Sequence, residues 1–172
     1  IFSLRQRGEI PVYATARTGE FLRASYRYIF DEAVVPIPGT SKPRLALKQI
    51  TPGRPVSVGD LTLTPLEFEH GNTPVIGFRV GRLAYLTDVK AIAPQVREQL
   101  RGLDVLVINA LWWRTHPTHL SIPEAIETAA DIGANRTILT HLTHETGHAE
   151  LAEQLPEGIE PGYDGLNVEV AE

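Results

Sequence analysis

The sequence predicts a layered α/β domain, and three observations carry that prediction. Residues 45–86 read as a meander of short strands, and residues 94–170 then alternate helix and strand. Leu103–Ile108 is almost continuously apolar, the pattern of a strand buried on both faces. No stretch reads as a linker, so a single domain over 1–172 is expected.

The elements follow in order. Glu9–Ala14 reads as a short buried strand. Thr18–Phe30 reads as a helix, with Thr18 as its cap and Phe21, Leu22, Tyr26 and Ile29 at helical spacing. Residues 33–43 are rich in Val, Pro, Gly and Ser and read as a loop. Strands are expected at 45–50, 55–58 and 61–68, the last two joined by Gly59-Asp60. Val75–Val80 and Leu83–Leu86 form a hairpin around Gly81-Arg82. Pro94–Leu100 is helical, and Gly102 stands where a helix would stop. Ser121-Ile122-Pro123-Glu124 is a capping box for a helix that runs to Ile132 and stops at Gly133. Thr137–Thr140 is a strand, Ala149–Gln154 a helix, and Leu166–Val170 a final strand.

The composition is that of an ordinary globular chain: 172 residues, 42% apolar and 22% charged. The net charge of −5 argues against holding nucleic acid by bulk electrostatics, which needs clustered Lys and Arg. It leaves a small phosphorylated substrate open. The absence of cysteine removes disulfides, thiolate metal sites and a Cys nucleophile. A metal would be held by His, Asp and Glu. No apolar run reaches the ~20 residues of a membrane span, and no signal peptide is visible, so a cytoplasmic location is expected. Residue 1 is Ile and the chain has no Met, so the natural protein is expected to begin earlier.

Three residues of interest stand just after strands. His70 closes the alternating run Leu66-Glu67-Phe68-Glu69, Asp88 follows Tyr85-Leu86-Thr87, and His141 follows Ile138-Leu139-Thr140. Loops converge beyond strand ends in layered α/β folds, and ligands bind there. Each residue also fits an ordinary role. Asp88 would serve as a helix cap, His116 and His119 as loop residues before the Ser121 cap, and His144 and His148 as solvated side chains. Spacing alone leaves both readings open, because no tight pair such as His-x-His is present.

Longer motifs add to this. Glu69-His70-Gly71, Ile76-Gly77-Phe78-Arg79 and Ala84-Tyr85-Leu86-Thr87-Asp88 resemble the middle motifs of the metallo-β-lactamase superfamily. Val107-Ile108-Asn109-Ala110-Leu111, His116-Pro117-Thr118-His119, Leu139-Thr140-His141-Leu142-Thr143-His144 and Tyr163-Asp164-Gly165 resemble its phosphoribosyl 1,2-cyclic phosphate phosphodiesterase branch. The resemblance implies a metallo-β-lactamase αββα sandwich that is N-terminally incomplete. It implies two divalent metal ions, zinc or manganese, about 3.5–4 Å apart and acting on water. By that resemblance His70 binds one metal, His141 binds the other and Asp88 bridges both. His119 contacts the phosphate or delivers a proton to the leaving oxygen, and His144 lies near the site.

The implied activity is metal-dependent phosphodiester hydrolysis of a small cyclic phosphate such as phosphoribosyl cyclic phosphate. The implied partner is that small phosphorylated substrate. Nucleic acid and membranes are not expected, and a homodimer is admissible. Two other readings stand beside this one: a nuclease or RNA-processing relative, and a non-catalytic binding relative with an incomplete site. The family's first motif, His-x-His-x-Asp-His, supplies most ligands and is missing here. In the family it lies shortly before the segment that Ile1-Phe2-Ser3-Leu4 resembles. One private ligand per metal plus a shared carboxylate falls short of the three protein ligands usual for catalytic zinc. The 172 residues alone should therefore bind metal weakly and hydrolyse nothing. Tight binding in a Zn²⁺ or Mn²⁺ titration of this chain would overturn that expectation.

Overall fold

The structure, a computed structural model, describes residues 8–170. The chain divides into two compact units, Ile1–Arg54 and Pro55–Glu172. The segment Ile1–Leu4 lies outside the described residues.

In the first unit, β1 (Ile10–Ala14) pairs in parallel with β2 (Leu45–Gln49), from Ile10↔Leu45 to Ala14↔Gln49. Parallel strands need a crossover, and α1 (Ala16–Ser25) and α2 (Arg27–Phe30) lie in it. The helix expected over Thr18–Phe30 starts earlier and is broken. Because β1 ends at Ala14, the helix begins at once and Thr15, not Thr18, is its cap; the Thr15 side chain accepts from the Thr18 amide. Tyr26 leaves helical geometry at φ −119° and ψ 49°, which separates α1 from α2. Residues 31–44 are irregular, in line with the expected loop.

The second unit is built on a seven-stranded mixed sheet. Its strands are β3 (Val56–Val58), β4 (Leu61–His70), β5 (Thr73–Val80), β6 (Leu83–Leu86), β7 (Val105–Asn109), β8 (Arg136–Thr140) and β9 (Ile159–Pro161), and they are paired in that order. β3 to β6 are antiparallel and β6 to β9 parallel. α3 (Pro94–Glu98), α4 (Ile122–Ile132) and α5 (His148–Gln154) fall between the parallel strands. The antiparallel meander β3–β6 followed by αβαβ units is as expected, except that β2, read as the first strand of that meander, pairs with β1 in the first unit instead. The last strand also differs. Residues 166–170 form no strand, because the edge beside β8 is occupied by β9, a three-residue strand that ends in proline and gave no visible alternation.

Period-two alternation assigns the sheet's faces. Leu66, Phe68, Ala84, Leu86, Leu106, Ile108 and Leu139 are each at most 2% exposed. They form one core with Ile122, Ala125, Ala129 and Ile132 of α4 and Leu151 of α5. Glu67 and Tyr85, on the alternate positions, are exposed. Gly77 of β5 is packed tightly: a Cβ there would lie 2.8 Å from the Tyr85 carbonyl oxygen and 2.9 Å from Leu86 Cδ2 and Phe68 Cε2. The start of α4 has the predicted capping box, Ser121 with Glu124, and its end turns on Gly133 at φ 74°.

Glu124 also binds Lys90, Nζ to Oε1 at 2.7 Å, which ties the helix start to the loop after β6. Burial pushes the Glu124 carboxyl up. The Lys90 ammonium and the amide and hydroxyl of Ser121 outweigh it and bring the group from 4.5 down to about 2. A carboxyl with a lowered folded-state pKa stabilises fully above its unfolded value and loses that stabilisation as pH falls. Thermal unfolding followed from pH 5 to pH 2 should therefore show a shallower decline in Glu124→Gln than in the wild type. Gly77→Ala should cost about 1–3 kcal/mol by overpacking, read from the urea unfolding midpoint.

Candidate metal centre

The parallel register sets where the polar residues arrive. Leu86 pairs with Ile108, and Ile108 with Leu139. Asp88 lies two residues beyond Leu86 and His141 two beyond Leu139. β4 ends in His70, as the alternation of Leu66 and Phe68 predicts. His119 comes from the loop before α4.

The side chains meet. His119 Nε2 is 3.0 Å from Asp88 Oδ1, and His141 Nε2 is 3.5 Å from the same oxygen. The His119 ring stacks on His141 with centroids 4.8 Å apart and meets the edge of His70 at 4.6 Å. One ligand atom each from His70, Asp88 and His119 falls within 4.8 Å of the others. Asp88 and His141 are about half open to solvent, 46% and 44%, whereas the His119 side chain is only 13% exposed. A partly exposed carboxylate with imidazole nitrogens around it is the donor set for a divalent ion such as zinc or manganese, so these residues fit one. By distance alone, His119 is as well placed for a ligand role as His141.

Backbone geometry singles out two of them. Among the described residues, Asp88 (φ 61°) and His141 (φ 59°) are the non-glycine positions with left-handed backbone. Asp and His tolerate this region better than most residues, yet it costs about 1–3 kcal/mol each and recurs at functional sites.

The surrounding bonds hold the rings in place. His70 Nδ1 is 2.8 Å from the Thr118 carbonyl oxygen. A carbonyl only accepts, so Nδ1 carries the proton and the neutral ring keeps the Nε2 lone pair available. Gly71 permits that approach: it has φ 59°, and a Cβ there would sit 2.8 Å from Thr118 Cγ2. The Thr118 hydroxyl is 2.9 Å from His119 Nδ1 and 3.2 Å from His116 Nδ1. Burial lowers the His119 pKa below the usual histidine value, and the neighbouring His141 and His70 rings also disfavour a positive charge there, against the opposing hydrogen bond and charge of Asp88. His116 lies one shell out, between Trp112 and His119.

The other candidates take no part in the hydrogen bonds and ring contacts around Asp88. His144 is exposed. His148 is on α5, with its ring edge on Tyr163 and Nε2 on the Pro161 carbonyl. Two further site residues stand inside the family motifs but are assigned no role from the sequence. Thr118 acts through its carbonyl and hydroxyl. Asn109 is fully buried at the end of β7 and accepts from the Val89 amide at 2.6 Å. An asparagine closing the apolar run Val105–Ile108 is the one hint that could have found it. Among the described residues no helix is long and apolar enough to cross a membrane.

Comparison with known proteins bears on the family and the fold. The sequence model of the Beta-lactamase superfamily domain matches residues 1–142. The chain is 40% identical over 166 residues to an octanoyltransferase of Porphyromonas gingivalis, covering 95% of this chain and 33% of that protein. A ribonuclease Z of Pyrobaculum aerophilum is 29% identical over 124 residues, which is 66% of this chain and 42% of its own. A diphosphatase of the PhnP family, known from its crystal structure, superposes with a TM-score of 0.79 at 31% identity, over 92% of this chain and 57% of that one. The chain thus spans about a third to just over half of each of these proteins. By its matched sequence and its architecture, the chain belongs to the beta-lactamase superfamily and has the fold of the metallo-β-lactamase hydrolases.

Proposed function

We propose that this chain is part of a metal-dependent phosphodiester hydrolase acting on a small phosphorylated substrate, a cyclic phosphate such as phosphoribosyl cyclic phosphate. The observation that carries this reading is the convergence of His119 and His141 on one Asp88 oxygen, with Asp88 and His141 both held in left-handed backbone. The likeness to a PhnP-family diphosphatase, at 31% identity, supports phosphoryl chemistry in particular.

Two divalent cations, zinc or manganese, would supply Lewis-acid activation of water and neutralise phosphoryl charge. His70 would hold one and His141 the other, with Asp88 serving both. Thr118 orients His70 by accepting its Nδ1 proton. His119, less exposed than Asp88 and His141 and 3.0 Å from Asp88, would donate a hydrogen bond to a phosphoryl oxygen or a proton to the leaving oxygen.

A second reading, an RNA-processing enzyme, draws on the 29% identity with ribonuclease Z. The net charge of −5 counts against it, because this chain brings no basic excess to phosphate backbones. The test uses the intact natural protein with Mn²⁺ and bis(p-nitrophenyl) phosphate. Asp88→Ala should lower kcat/KM by more than about 100-fold, the upper end for losing even an outer-shell partner of a metal ligand. Equal rates for the two proteins would sink the two-metal assignment. Faster turnover of a structured RNA than of a cyclic phosphate would favour the second reading.

A further inference from the structure

Three consecutive residues leaving β7 each hold one of the ligand-bearing loops. Asn109 Oδ1 accepts from the Val89 amide, next to Asp88, at 2.6 Å. The Ala110 amide donates to the Thr140 carbonyl, next to His141, at 2.9 Å. The Leu111 amide donates to the Leu120 carbonyl, next to His119, at 2.9 Å. The second and third bonds use backbone that any residue there would supply. The first depends on the side chain.

The β6–β7 ladder ends at Leu86↔Ile108. Beyond it the left-handed turn at Asp88 takes the chain off the ladder and buries the Val89 amide, since Val89 is 0% exposed. Asn109, also 0% exposed and flanked by buried Ile108 and Ala110, provides the acceptor that the ladder no longer does. Its Nδ2 is buried without a hydrogen-bond partner among the described residues. A core amide with an unmet donor is a cost, so this side chain is poorly explained as core filling. It is explained by its oxygen.

We infer that Asn109 is a positioning residue, whose side-chain oxygen pins the Val89 amide and so holds Asp88 in the left-handed turn that aims its carboxylate at the metal centre. This rests on the metal-site reading above. It acts at one remove from the metal, where loss of a partner costs about 10–100-fold in affinity.

The experiment compares wild type, Asn109→Leu and Asn109→Asp in the intact natural protein. Leu keeps the branching at Cγ but lacks the acceptor, whereas Asp keeps it and is nearly isosteric. Zn²⁺ affinity is read by competition with a chromophoric chelator, and exchange of the Val89 amide by hydrogen–deuterium NMR without metal. Asn109→Leu should weaken Zn²⁺ binding about 10–100-fold and speed Val89 exchange, while the β7–β8 ladder amides keep their protection. Asn109→Asp should stay within a few-fold of wild type on both. Wild-type affinity in a folded Leu variant would overturn the inference. So would loss of affinity or Val89 protection in the Asp variant, which decides alone if the Leu variant fails to fold. A wild-type protein that takes up no Zn²⁺ would defeat the functional reading instead, and Val89 exchange in Asn109→Asp would still report on the pin.

Discussion

The site depends on the shared register of β6, β7 and β8. Leu86, Ile108 and Leu139 stand side by side and are each fully buried. Two residues further along, the three strands deliver Asp88, Ala110 and His141 at the same level. A slip of one residue in β6 or β8 would turn its buried side chains outward and would displace Asp88 or His141 from the other. The hydrophobic core therefore does more than stabilise the unit. It fixes the height at which a carboxylate and an imidazole meet.

What happens above that level runs against local preference. Asp88 and His141 both take left-handed backbone, and such positions persist only where their surroundings over-determine them. Here they do. Past Asp88, the Lys90 and Ala91 amides both donate to the Glu69 carbonyl, one residue before His70, and the Val89 carbonyl accepts from Leu120. The loops carrying His70, Asp88 and His119 are laced to one another by main-chain bonds. A change in any one of them would be felt by the others.

Much of this was legible in the sequence where the cause is local. Alternation at Leu66 and Phe68 placed His70 at a strand end, and Ser121 with Glu124 announced the start of α4. Family motifs brought His70, Asp88, His119 and His141 forward together. The misses have tertiary causes. Asn167-Val168-Glu169-Val170 alternates like a strand, but alternation does not say whether a partner edge is free. Thr18 reads as the cap because the end of β1, which sets Thr15 at the helix start, is fixed by pairing with the distant β2. The positive φ of Asp88, the carbonyl of Thr118 and the acceptor of Asn109 are properties of contacts between distant residues, so no window along the chain contains them.

The two margins of the large sheet have a consequence of another kind. β3 is three residues long, and so is β9. On β9 the Ile159 amide already donates to Pro156, Pro161 has no N–H, and its carbonyl is taken by His148 at 3.2 Å. Exposed strand borders invite templated stacking of one molecule on the next, and this border offers almost no main-chain groups to a newcomer. Two copies of the chain would gain little main-chain pairing across the β9 border, and runaway fibre growth from it is discouraged by the same three residues.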